Sequence, residues 1–197
     1  MSDHLGGVRV ADSTPYPWPY DGDLAGSGTA VLVIQPAAPW PGEVDKSVLA
    51  AAAQVATAVE AAGGQVISLQ TAPPPSHSLG VAKGTGEPEQ GLPVGTLRFT
   101  SAGIDGFYGS GLEAHLRSTG LQRLVLVGLG AETSVHSTMR TANDMGYECL
   151  FARDACQSYA PDMADNTVSM IEMSGGIFGA VGTASAVAAA MNGRTQP

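Results

Sequence analysis

The sequence predicts an α/β domain, with three α/β/α layers around a parallel sheet. Two observations carry this. Short, almost uninterrupted apolar runs (TAVLVIQ at 29–35, QVISLQ at 65–70, LQRLVLVGLG at 121–130) have the make-up of strands buried on both faces. Stretches with helical apolar spacing lie between the runs. Strands that alternate with helices need parallel crossovers, with helices on both faces of the sheet.

Taken in order, residues 1–28 read as an extended N-terminal arm. Its YPWPYDG segment (16–22) is punctuated by prolines and is expected to lie across the surface rather than form an element. A single domain spans 29–197. After the first strand, SVLAAAAQVATAVEAAGG sets Val48, Leu49, Ala52, Val55, Ala56 and Val59 at helical spacing and stops at a glycine pair. With the strand at 65–70 it makes a βαβ unit. Residues 71–95, rich in proline and glycine, predict a long loop of the kind that forms lids and binding loops.

TLRFT (96–100) predicts a short strand. GSGLEAHLRSTG predicts a helix with Leu112, His115 and Leu116 on one face, leading into the strand 121–130. A helix over 133–146, a strand YECLFARD (147–154) and a helix DMADNTVSMIEM (162–173) follow. The chain then has a short strand IFGAVG (177–182) and a helix TASAVAAAMNG (183–193). The Ala- and Gly-rich stretch from Met173 to Met191 suits close helix packing, at an interface or in the core.

The 197 residues are 44% apolar, enough chain to bury a full core. Nine basic against 18 acidic residues give a net charge of −9. That balance argues against nucleic acid and against anionic membrane surfaces, because little is present to neutralise phosphate. MSDHLGGVRVADS lacks the basic start and apolar run of a signal peptide, so a cytoplasmic protein is expected. Cys149 and Cys156 read as buried thiols in a reducing compartment.

Chemistry concentrates in GLGAETSVHSTMR (128–140), where a strand, a glycine-bracketed turn and a helix start meet. In α/β sheets this junction faces the crevice at the strand's carboxyl end. The long stretch GLQRLVLVGLGAETSVHSTMRTANDMGYECLFARDAC, together with MSGGIFGAV and the YPWPYDG arm, resembles the isochorismatase-like cysteine hydrolase superfamily. Within it the likeness is nearest to the biuret and ureidoacrylate amidohydrolase branch. The resemblance implies the isochorismatase-like hydrolase fold. It also implies a triad in which a cysteine attacks a carbonyl, an aspartate is its base and a lysine helps hold the charge. Helix-start N–H groups would form the oxyanion site, and a helix N-terminus with a nearby cation makes a thiol a ready nucleophile.

Mapped residue by residue, this pattern meets three replacements. Gln35 stands at the strand-end aspartate, and an amide takes no proton in the working pH range. Ser101, six residues before Phe107, stands at the lysine, and RFTSAGIDGF has no lysine at all. Ser134 stands at the cysteine. A serine nucleophile needs an adjacent base. His136, two residues on, does not share its helix face, and Glu132 would approach only if the turn folded back. Ser134 or Thr133 is therefore expected to cap the helix.

His136 is expected to be a packed histidine, and Asp154 matches a structural acid of the family pattern. His4 and His77 belong to the arm and the long loop. No histidine or cysteine spacing suits a metal. GLGAET lacks the third small residue of a dinucleotide fingerprint, because Thr133 stands there. No metal or cofactor is expected.

The loops after the first and second strands, PAAPWPGEVDK and LQTAPPP, are cut back relative to the family pattern. The expected pocket is neutral and open. Gln35, Ser101 and Ser134 would floor it, with Gly130, Ala131, Thr133, Phe107 and His136 as binding candidates.

The expected function is that of a catalytically degenerate relative, a pseudoenzyme. It would pair with itself or with an active relative as a homo-oligomer or hetero-oligomer, or bind a small polar ligand. The alternative is an enzyme (a lyase, cyclase or isomerase, or a hydrolase of a small polar or biosynthetic substrate) acting without a covalent step. It would use Gln35, Ser134 and the helix-start amides.

Overall fold

The computed structural model describes residues 7–37, 40–72 and 91–193. Six parallel strands form one sheet in the order β3–β2–β1–β4–β5–β6. They are β1 (Thr29–Pro36), β2 (Gln65–Thr71), β3 (Leu97–Thr100), β4 (Arg123–Leu129), β5 (Glu148–Gln157) and β6 (Ala180–Gly182). The helices are α1 (Lys46–Ala61), α2 (Leu112–Thr119), α3 (His136–Asp144), α4 (Pro161–Met173) and α5 (Ala184–Asn192). This is the three-layer α/β/α fold the sequence predicts. None of the described helices is long and apolar enough to cross a membrane.

Strand alternation divides the core in two. Val31, Val33, Val125 and Val127 pack with Ala52, Val55 and Val59 of α1 and Val187 and Met191 of α5. Leu32, Ile34, Leu124 and Leu126 face the other way, against Leu112 and Leu116 of α2, Met139 of α3 and Ile171 of α4. Strand order reverses between β1 and β4, which places the crevice at their carboxyl ends. The Asp45 carboxylate caps α1 by accepting from the Ser47 N–H at 2.7 Å. Asp154 accepts from the Ala184 N–H at 2.8 Å and so anchors the start of α5, the structural acid expected.

Three expectations change. First, β5 does not stop at Asp154 but runs to Gln157. Its pairing with β4 jumps, since Leu126 faces Phe151 and Gly128 faces Cys156. A bulge of this kind lets the chain rejoin the ladder. Second, β6 is confined to Ala180–Gly182, with Ile177 and Phe178 in the preceding turn.

Third, the arm is not laid across the surface. Val10, Trp18 and Leu24 are wholly buried in the α1-side core. Thr14 exchanges backbone bonds with Val181 of the edge strand (3.0 and 2.7 Å), which covers a three-residue edge that little else would protect. The Asp21 carboxylate reaches the nearly buried Arg123 guanidinium at 2.6 Å. An indole is too large an apolar body to leave in water, and this outweighs the prolines' preference for an irregular surface path.

Cys149 and Cys156 are free, buried thiols as expected, and burial pushes both well above the ordinary thiol range. Residues 73–90, most of the loop expected over 71–95, lie outside the described residues, as do His4 and His77.

Trp18→Ala should cost about 3–5 kcal/mol in urea unfolding, as for other buried aromatic truncations. A cost below about 1 kcal/mol, the level of a surface change, would mean the arm does not share the core.

Candidate functional site

The candidate site forms where β4 leaves the sheet beside β1. Gly128 has φ +131°, and a Cβ built there would fall 1.9 Å from the Ile34 carbonyl oxygen, so only glycine fits. Gly130 turns the chain left-handed at φ +77° and donates to the Gln157 carbonyl at 2.9 Å. Ala131–Val135 then winds as a wide π-type turn, with the N–H groups of Thr133 and Val135 both reaching the Gly130 carbonyl at 3.0 Å. Turns of this width occur often at functional sites.

This turn changes the role of Ser134. Neither Ser134 nor Thr133 caps the helix. The helical run starts from Gly130 without a side-chain cap, and Thr133 Oγ1 lies 3.3 Å from the Gly130 carbonyl, to which it donates. Ser134 is buried at 3% exposure, and its Oγ lies 2.8 Å from Thr71 Oγ1 at the end of β2. That is its one side-chain hydrogen bond among the described residues. The Ser134 carbonyl accepts from Thr138 Oγ1 at 2.7 Å, and Thr138 Oγ1 accepts from the Gly106 N–H at 2.9 Å. Glu132 is turned away, with Oε1 accepting from the Tyr159 N–H at 2.9 Å.

The other expected pocket residues do not converge. Gln35 lines a cavity of about 100 Å³ with Val33, Ser68, Gln70, Leu92 and Arg98. Neither Ser101 nor Ser134 lines it. Alternation explains the separation, because Gln35 follows Val33 on the α1 face whereas Thr71 shares its face with Leu69. Ser101 is buried, with its hydroxyl donating to the Gly103 carbonyl at 2.7 Å. Phe107 is a core residue, its ring 6.0 Å from that of Tyr147. Gln35 nonetheless adjoins the hydroxyl pair through its backbone, since Thr71 Oγ1 lies 3.5 Å from the Gln35 carbonyl oxygen as well as 2.8 Å from Ser134 Oγ.

His136 is packed, as expected. Its ring meets the Phe178 edge at 5.8 Å, and the Arg140 guanidinium lies over the same Phe178 ring at 4.2 Å. Burial first, and then the Arg140 charge, hold His136 below the usual histidine range, so it is neutral at pH 7. No three His, Cys, Asp or Glu side chains among the described residues gather where a metal ion could sit.

Sequence reading missed Thr71, although strand alternation in QVISLQT places it on the face of Ile67 and Leu69. It also missed the stack of Trp40 on Tyr159 (centroids 4.5 Å apart, planes at 30°), for which no sequence signal exists. Tyr159 sits beside Gly130 and supplies the N–H that holds Glu132.

With this geometry in view, the isochorismatase domain matches residues 29–185, and the chain belongs to the isochorismatase family. An uncharacterized isochorismatase family protein of Escherichia coli O157:H7, YecD, is 35% identical over 65 residues. That segment is 33% of this chain and 35% of the relative, about a third of its length. An isochorismatase family protein from Burkholderia thailandensis has the same fold, with a TM-score of 0.64 and 23% identity over 84% of this chain and 96% of the other. A cysteine hydrolase from Pseudomonas syringae superposes at a TM-score of 0.66 with 16% identity, over 85% of this chain and 94% of the other.

Thr71→Val should cost about 1–3 kcal/mol by leaving the buried Ser134 hydroxyl without its partner. Thr71→Val with Ser134→Ala should recover most of that loss, because both polar groups are then gone. Equal costs for the single and double variants would dissolve the pairing.

The fold depresses His136 below its unfolded value near 6.5, so its contribution is complete above that pH and is lost as pH falls through it. Wild type should lose stability relative to His136→Gln between about pH 7 and pH 5. Parallel stability–pH curves for the two proteins would remove His136 from that account.

Proposed function

We propose that this isochorismatase-family chain has given up covalent amide hydrolysis, a pseudoenzyme that keeps the fold to hold a small polar ligand. It does so as a self-associated subunit or beside an active relative. One observation carries the reading: the Ser134 hydroxyl meets another neutral hydroxyl, that of Thr71, at 2.8 Å. An alcohol bonded to an alcohol stays protonated at neutral pH, and a serine attacks carbonyls only when a base takes its proton.

The resemblance to the cysteine amidohydrolases supports the same reading. By that mapping Gln35 replaces the base, Ser101 the cation and Ser134 the thiol. Gln35 lines its own cavity beside Ser68, Gln70 and the Arg98 cation, and its carboxamide provides no proton transfer. A small polar ligand with its own amide or hydroxyl groups suits that lining.

Incubation with biuret and ureidoacrylate should release no ammonia above the buffer rate. Ser134→Cys should restore none, because the base and cation positions remain Gln35 and Ser101. Ammonia release by wild type that Ser134→Ala abolishes would overturn the proposal.

A further inference from the structure

A second cavity, of about 290 Å³, lies on the opposite side of β4 and β5 from the α1 face, between β5 and α4. It is just below the roughly 300 Å³ at which small-molecule sites begin. Its floor is apolar: Phe151, Cys156 and Ala131 are buried there, and Val168 of α4 closes one wall. The cavity exists because α4 packs mainly through its second half. Thr167 and Ile171 are the helix's buried residues, while the first turn stands off the sheet.

Three charged side chains stand at this cavity, one cation and two carboxylates: Arg153, Asp154 and Asp165. The bulge between Leu126 and Gly128 of the β4–β5 ladder spans Arg153 and Asp154, and both are exposed. Asp154 is committed to the start of α5. Arg153 makes no ion pair or hydrogen bond with any described residue, and neither does the exposed Asp165 of α4. A guanidinium fork recognises a carboxylate through two parallel bonds, and an ammonium is matched by a carboxylate. Beside an apolar floor of lower polarity than water, both contacts gain over their worth on a fully open surface.

We infer that this cleft binds a zwitterionic amino acid with an apolar side chain. Its carboxylate meets Arg153, its ammonium meets Asp165, and its side chain lies against Phe151, Cys156 and Val168. A single-charge ligand would leave one of the two protein charges uncompensated. The site is separate from the Gln35 cavity and shares only Ala131 with the turn that carries Ser134, so it does not depend on the function proposed above.

The test is calorimetric titration of the full chain with L-phenylalanine, phenylpropionate and phenethylamine. L-Phenylalanine should bind, and each single-charge analogue should bind roughly tenfold or more weakly. Arg153→Gln and Asp165→Asn should each weaken L-phenylalanine by a similar factor. Both replace exposed side chains, and unchanged circular dichroism will verify that the variants are folded. Absence of L-phenylalanine binding at millimolar concentration would overturn the inference. So would unchanged affinity in Arg153→Gln, or phenylpropionate binding as tightly as L-phenylalanine with Asp165→Asn without effect.

Discussion

The close passage of β4 against β1 at Gly128 is the constraint on which the candidate site depends. There is no room for a Cβ between the Gly128 backbone and the Ile34 carbonyl. This contact falls where strand order reverses, so β4 ends beside β1 and its continuation must turn out of the sheet at once. Gly130 supplies the left-handed residue that the turn needs. The wide π-type turn after it rotates Ser134 inward, toward the end of β2. A regular helix start would have left Ser134 or Thr133 free to cap the exposed N–H groups.

What the turn delivers to the crevice is a pair of hydroxyls and not an ion pair. Ser134 and Thr71 satisfy each other within a buried environment, and the groups next to them are backbone carbonyls: Thr71 Oγ1 lies 3.5 Å from that of Gln35, and Thr138 Oγ1 donates to that of Ser134. Each hydroxyl is partnered, and neither a hydroxyl nor a backbone carbonyl is a proton acceptor strong enough to activate an alcohol. Of the turn's carboxylate, Glu132 Oε1 accepts from the Tyr159 N–H, while Oε2 is buried with no hydrogen-bond partner among the described residues.

The two ends of the sheet are finished in different ways. At the β6 end the arm pairs with the edge and buries Trp18, so a segment outside the alternating pattern becomes part of the core. Within β5 a bulge ejects Arg153 and Asp154 from the ladder, which supplies one acid to α5 and one cation to the cleft beneath α4. Both features leave the order of the strands unaltered.

The sequence by itself determined the layers, the strand runs and the family. Those rest on local signals: unbroken apolar runs for buried strands, helical spacing for the covering helices, and a long motif at one junction. It also indicated that Cys149 and Cys156 are buried thiols and that Asp154 is a structural acid. Tertiary structure alone decided that Trp18 enters the core and that Thr71 is the partner of Ser134. The residues of that hydroxyl pair are 63 positions apart, and their meeting depends on strand register and on a turn one residue wider than an α-helix. Neither quantity is encoded in local composition. Both follow from how closely two backbones can approach at Gly128.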